Sequence, residues 1–173
     1  MNANDERAEF VTLVDQHDRA IGTLEKMKAH REALLHRACS VVLFNDRGQM
    51  LLQKRNPAKY HSGGLWSNTC CTHPRPGEPP IEAASRRLRE EMGIETDLRF
   101  AFDFVYRADF GDGLIEHEFD HVFVGRTVGP PHPNADEVSD WRWATIEEIA
   151  DDIERHPSLY TQWLPHLLER MSS

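Results

Sequence analysis

No stretch of this 173-residue sequence is apolar for long, and the clearest apolar run covers only residues 41–44. A bilayer-spanning helix needs about 20 such residues, so no membrane segment is expected. Cysteine is sparse, with only Cys39, Cys70 and Cys71. An odd, low count of this kind excludes a disulfide scaffold and points to reduced thiols in the cytosol. Residues 1–10 are polar and acidic and lack a basic stretch followed by an apolar one. A secretory leader is therefore not expected, and a cytoplasmic location is. Positive charge is the minority, with 20 Lys and Arg against 29 Asp and Glu and a formal charge of −9. That balance argues against a nucleic-acid protein, which collects Lys and Arg along a phosphate backbone. It also means that an anionic substrate must be met by basic side chains or metal ions gathered locally against the overall field.

Apolar residues make up 39% and charged residues 28%, an ordinary globular composition. Repeats, low-complexity tracts and long linkers are absent, so residues 1–173 are read as one domain. Residues 10–14 suit a strand followed by a turn over 15–18. Residues 38–44 and 50–54 flank Asn45-Asp46-Arg47-Gly48, which predicts a hairpin with Gly48 free to adopt positive φ. After Pro79 and Pro80, the residues Ile81, Ala84, Leu88 and Met92 fall at helical spacing and Gly93 supplies a stop. Strands are expected over 98–108 and 115–125, joined by Gly111-Asp112-Gly113, and helices over 146–153 and 159–171 with a break at Pro157. Strands mixed with a few helices give an α+β architecture.

Within the strand at 115–125, alternation puts Glu116 and Glu118 on one face and His117 on the other. Paired carboxylates repel unless a cation or a proton lies between them, although a solvated strand face carries such pairs too. In an extended Asn68-Thr69-Cys70-Cys71-Thr72-His73-Pro74, Cys71 and His73 face the same way. The cysteines there are either small buried hydrophobes, half of a zinc site, or a thiol acting as acid or base beside a metal-bound His73. His30 and His36 lie upstream, and three histidines with two carboxylates suit Zn, Mn or Mg-like ions. The run Arg86-Arg87-Leu88-Arg89-Glu90-Glu91-Met92-Gly93 reads either as a salt-bridged surface helix or as a Nudix box. The core of that box is Arg-Glu-apolar-x-Glu-Glu-x-Gly, and its carboxylates hold Mg²⁺ in hydrolases. Arg86, Leu88, Glu90, Glu91 and Gly93 fit; Arg87 stands where the hydrolases have a glutamate, and Thr72 where the box opens on glycine. A guanidinium in place of a carboxylate suits holding a phosphate rather than splitting one.

Together with Gly22-Thr23-Leu24-Glu25-Lys26, Trp66-Ser67, Asp103-Phe104-Val105-Tyr106-Arg107-Ala108 and Trp163, these segments resemble the type 1 isopentenyl diphosphate isomerases, a Nudix-like family. The resemblance runs from Phe10 to the last helix, and it implies a mixed β-sheet core flanked by helices. It implies that His30, His36, His73, Glu116 and Glu118 surround one divalent ion, Mn²⁺, Zn²⁺ or Mg²⁺. Glu91 would help to bind a second ion, Mg²⁺, bridging to the diphosphate. Cys71 and Glu118 would be the acid–base pair, with Tyr106 in the proton relay and Trp163 facing a carbocation. Lys26, Arg55, Lys59, Arg86 and Arg87 would bind the diphosphate. The expected partner is a small diphosphate ester, with no nucleic acid and no membrane, and the expected state is a monomer. A Nudix-type pyrophosphohydrolase is the alternative reading.

Overall fold

The computed structural model describes residues 9–172, so the reading of residues 1–8 lies outside the described residues. In chain order the elements are β1 (Phe10–Val14), β2 (Ala20–Glu25), α1 (Lys26–Arg31), β3 (His36–Phe44), β4 (Met50–Arg55), β5 (Trp66–Ser67) and β6 (Cys70–Thr72). They continue with α2 (Pro80–Met92), β7 (Arg99–Asp109), β8 (Ile115–Arg126), β9 (Val138–Ala144), α3 (Ile146–Arg155) and α4 (Leu164–Met171). The expected α+β class is what is found. Among the described residues, no helix is long and apolar enough to cross a membrane.

Local chemistry explains the boundaries. The Asp15 carboxylate accepts from the main-chain N–H groups of His17 and Arg19 and turns the chain between β1 and β2. The Glu25 carboxylate accepts from the N–H groups of Met27 and Lys28, which starts α1 and carries His30 into the interior. Helix α2 begins on Pro80 and stops at Gly93, whose φ of 63° lies in the left-handed region.

The strand β3 organises the sheet. It runs parallel to β8, with His36 beside Glu118, Ala38 beside Asp120 and Ser40 beside Val122. On its other side it pairs antiparallel with β6, where Ser40 lies opposite Cys71. β7 then pairs antiparallel with β8 and sets Tyr106 opposite Glu118. Because side chains alternate, the two faces of the sheet build two cores. Val42, Met50, Leu52, Phe104 and Val122 pack with Ile149 of α3 and with Leu164, Leu167 and Leu168 of α4. Cys39, Val41, Leu43, Leu51, Cys70 and Phe123 pack on Ala83, Ala84, Leu88 and Met92 of α2. Each fully buried Leu contributes about 1.5–3 kcal/mol.

Two expectations need correction. The hairpin around Asn45-Asp46-Arg47-Gly48 is closed only at its tip, where Phe44 lies opposite Met50. Beyond that point β3 turns to β8 and β6 while β4 pairs with β9, because both strands are buried on two faces and need neighbours elsewhere. The last helix does not begin near Leu159. Tyr160 forms a parallel bridge with Trp66, and the Thr161 N–H donates to the Trp66 carbonyl at 2.9 Å. Helix α4 therefore starts only at Leu164, with a proline in its first turn. The extended detour brings Trp163 to the site described next.

Candidate active site and metal centre

The acids and imidazoles singled out in the sequence meet at one end of β3 and β8. Glu116 and Glu118 are 4% and 8% exposed, which excludes a solvated strand face, while His117 points the other way toward the Ala33 carbonyl. His30 and His36 are completely buried. His30 Nδ1 lies 2.7 Å from the Lys26 carbonyl, and His36 Nδ1 lies 2.8 Å from the Leu34 carbonyl. A carbonyl only accepts, so both Nδ1 atoms carry the proton and both Nε2 atoms present a lone pair. Those Nε2 atoms are buried without a hydrogen-bond partner among the described residues. Each lies 3.8 Å from a carboxylate oxygen, His30 from Glu116 and His36 from Glu118. His73 Nε2 is 2.8 Å from Glu118 Oε1.

One atom each of His30, His36, His73 and Glu118 lies within 4.8 Å of all the others, and a second group of His30, His61 and Glu116 meets the same limit. Nitrogen and carboxylate donors at this spacing, with fixed tautomers and two buried lone pairs left over, fit a divalent cation. Burial lowers the proton affinity of two of these imidazoles, His36 down to about 4 and His73 well below its ordinary value, so these two stay neutral and able to ligate. Burial and the neighbouring Glu116 raise Glu118, whereas Glu116 is held well down, against its burial, by His30 and His61.

Cys71 lies on the same face of the sheet, and Cys70 points into the α2 core as alternation required. Burial, then Asp120, pushes the Cys71 thiol up to about 12, so it is protonated at neutral pH. The thiol donates to Asn68 Oδ1 at 3.1 Å and lies 3.6 Å from the Ser40 hydroxyl. Asn68 itself is anchored by its amide, which donates to the carbonyls of Val41 and Cys70 at 3.0 and 2.9 Å. Its oxygen also accepts from the Trp163 indole at 3.0 Å, so one side chain positions both the thiol and the aromatic ring. The Arg55 guanidinium lies 5.4 Å over that ring. Tyr106 is buried, and its hydroxyl has no hydrogen-bond partner among the described residues. Burial and the two glutamates keep that hydroxyl protonated.

Cys71, His73, Glu116, Glu118 and Trp163 line a cleft of about 950 Å³; His30, His36 and Tyr106 are not among its lining residues. All five expected anion-binding residues, Lys26, Arg55, Lys59, Arg86 and Arg87, line the same cleft, and Arg75 joins them. Most of these cations hold carboxylates. Lys26 donates to Glu9 at 2.7 Å, Lys59 to Glu137, and Arg86 to both oxygens of Glu78 at 2.9 Å. Arg87 bonds Glu90 at 2.7 Å and Glu91 at 2.6 Å. The i, i+3 and i, i+4 ion pairs expected of a surface helix are thus real, but they face a cleft. Glu91 also receives the Gln53 amide at 3.1 Å, and it is not brought together with the imidazoles.

Sequence reasoning did not single out His61, Asn68, Ser40, Asp120 or Arg75. Ser40 donates to Asp120 at 2.7 Å, and Asp120 is raised to about 7 by burial despite that bond. The signal for Asn68 was present, since it opens the segment that carries Cys71. A lone His61 beside Ser62-Gly63-Gly64 offered none.

A NUDIX domain matches residues 34–167. The chain is 53% identical to isopentenyl-diphosphate Delta-isomerase 2 of Aromatoleum aromaticum, over 94% of the chain and 86% of that protein. It is 51% identical to the isopentenyl-diphosphate Delta-isomerase of Burkholderia multivorans, over 94% and 92%. Among solved structures, DR0079 from Deinococcus radiodurans aligns with a TM-score of 0.77 and 25% identity, covering 94% of this chain and 98% of that one. The MutT protein from Methanosarcina mazei Go1, at 18% identity and a TM-score of 0.67, shares the fold over 80% of this chain and 93% of that one. The chain belongs to the NUDIX family and, within it, to the isopentenyl-diphosphate Delta-isomerases.

Proposed function

We propose that this protein interconverts isopentenyl diphosphate and dimethylallyl diphosphate by adding a proton at one end of the allylic unit and removing one from the other. The observation that carries the reading is the joint occurrence in one cleft of a protonated thiol, Cys71, and a buried glutamate, Glu118, beside an indole face and a basic wall. Hydrolysis of a diphosphate needs neither the thiol nor the indole. Arg87, moreover, neutralises the helix carboxylates that a hydrolase would give to metal.

The roles follow from position. Lys26, Lys59, Arg86 and Arg87 take the diphosphate by exchanging their carboxylate partners for phosphate oxygens, and Arg55, which donates to the His61 carbonyl and lies over Trp163, joins them. That binding energy holds the reacting carbons near the acid and base. Protonation at C4 leaves a tertiary cation at C3, and loss of a proton from C2 completes the shift. Cys71 and Glu118 serve the two carbons from opposite sides, one as acid and the other as base, with the roles reversed in the back reaction. Tyr106 lies opposite Glu118 and assists its proton transfer. Trp163 presents its face to the cation, a contact of about 2 kcal/mol or more when water is excluded.

His30, His36, His73, Glu116 and Glu118 would hold one divalent ion, Mn²⁺, Zn²⁺ or Mg²⁺. Glu91 would join the diphosphate in holding Mg²⁺. An ion held at the histidines would supply Lewis acidity and so lower the proton affinity of Glu118. The protein is read as a cytoplasmic monomer acting on a small molecule, without nucleic acid or membrane. Incubating it with isopentenyl diphosphate and Mg²⁺ and following the proton spectrum tests the assignment. Formation of dimethylallyl diphosphate supports it, and release of phosphate alone overturns it.

A further inference from the structure

Glu116 and Glu118 group with different sets of imidazoles. The ligand atom of Glu116 groups with His30 and His61, while Glu118 groups with His30, His36 and His73. We infer that His61 is a positioning residue of the metal centre, one that fixes the Glu116 carboxylate without itself binding the ion. This rests on the metal-centre reading above and names a residue which that reading does not use.

Three observations support it. His61 Nε2 lies 2.8 Å from Glu116 Oε2, hydrogen-bonding distance, and both side chains are buried. The ring is held on several sides. It stacks on Phe110 at 4.4 Å and 12°, meets the edge of Tyr60 at 4.3 Å and that of Trp163 at 5.8 Å, and its Nδ1 lies 3.1 Å from the Ser62 hydroxyl. A ring so confined cannot swing, so it sets the direction of the carboxylate rather than following it. The tautomers also differ. His30 and His36 spend their Nδ1 protons on main-chain carbonyls and keep Nε2 lone pairs free. A neutral His61 that donates from Nε2 to a carboxylate has no lone pair there, and its Nδ1 accepts from the Ser62 hydroxyl. It therefore acts through Glu116, as the outer partners of metal-binding groups do.

The test compares His61→Phe with His61→Gln by Mn²⁺ titration, with free Mn²⁺ read by electron paramagnetic resonance. Pulsed measurements on the loaded proteins count bound imidazole nitrogens. Phenylalanine keeps the ring contacts and removes the N–H; glutamine restores an N–H at a similar reach. The expected results are a loss of about 10–100-fold in Mn²⁺ affinity for His61→Phe, an unchanged nitrogen count, and recovery to within a few-fold in His61→Gln. Circular dichroism checks folding. His61→Asn, whose amide stops short of Glu116, replaces the phenylalanine variant if that one does not fold. Unaltered affinity in His61→Phe overturns the inference, as does equal loss in His61→Gln. A nitrogen count lower by one also overturns it, because His61 would then be a ligand. If the wild-type chain binds neither Mn²⁺ nor Zn²⁺ while folded, the metal-centre reading itself fails.

Discussion

The two walls of the cleft handle their polar groups in opposite ways. Where β3 meets β8, imidazoles and carboxylates are buried, His36 and His73 are neutral, and the Nε2 atoms of His30 and His36 have no partner among the described residues. Along α2 and the segment carrying Lys59, charges are more accessible and paired: Arg86 with Glu78, Arg87 with Glu90 and Glu91, Lys59 with Glu137. Orphaned buried lone pairs are costly, and they persist where a cation is to be bound. The paired guanidinium groups are partly buried but line the cleft, where phosphate oxygens offer the same charge-assisted bonds as the carboxylates they now hold. On the function proposed above, one wall would hold the metal and the other the diphosphate, and Cys71 lines the same cleft.

The sharpest way to break this comparison is to remove the one group that belongs to neither wall. Cys71→Ala is expected to lower isomerase turnover on the order of 10³-fold, within the usual range for an acid–base group. Metal content by elemental analysis and circular dichroism should be unchanged. Turnover within a few-fold of wild type would remove Cys71 from the proton transfers.

On the buried wall, His36 contributes an acid sensitivity that begins at higher pH than that of the paired carboxylates Glu78 and Glu137, which are held below 4.5. His36 takes a proton at about 4 in the fold against 6.5 as a free side chain, chiefly because it is buried. Between those values the unfolded chain binds the proton and the folded chain does not, so the contribution of His36 falls as pH drops from 6.5 towards 4, while the raised carboxyls of Glu118 and Asp120 act in the opposite sense. Each such histidine costs about 1.36 kcal/mol per pH unit, which makes His36 worth on the order of 3 kcal/mol over the whole window. Urea titrations of the EDTA-treated protein at several pH values measure this slope, and His36→Asn should flatten it. A slope unaffected by His36→Asn would assign the acid sensitivity to other groups.

On the paired wall, Arg87→Ala removes one charge-assisted contact with the diphosphate, about 1.5–3 kcal/mol. The expected outcome is a fall of about 10–100-fold in kcat/KM with Mn²⁺ affinity at the histidines unaffected. A matching loss of Mn²⁺ affinity would show that the two walls do not act separately. The smallest effect is expected for Arg86→Lys, a few-fold rise in KM, since a point charge replaces a bidentate fork.

Local patterns in the sequence were good guides to everything a single strand or helix decides. Alternation correctly put Glu116 with Glu118 and Cys71 opposite Cys70, and helical spacing with Gly93 bounded α2. What periodicity could not supply is the parallel pairing of β3 with β8, which sets His36 beside Glu118 from far apart in the chain. The same limit hid the detour at Tyr160, because it depends on a bridge to Trp66 rather than on its own residues. His61 was missed for a related reason: it lies in a loop with no period, and only its contacts with Glu116, Phe110 and Tyr60 mark it out.

The central claim, proton transfer on an intact diphosphate, is tested most directly by one sample in D₂O containing the protein, Mg²⁺ and isopentenyl diphosphate, followed by proton and phosphorus spectra. Conversion to dimethylallyl diphosphate with deuterium entering the carbon skeleton and both phosphorus signals preserved is the predicted result. Growth of a monophosphate or inorganic phosphate signal without deuterium incorporation would contradict it.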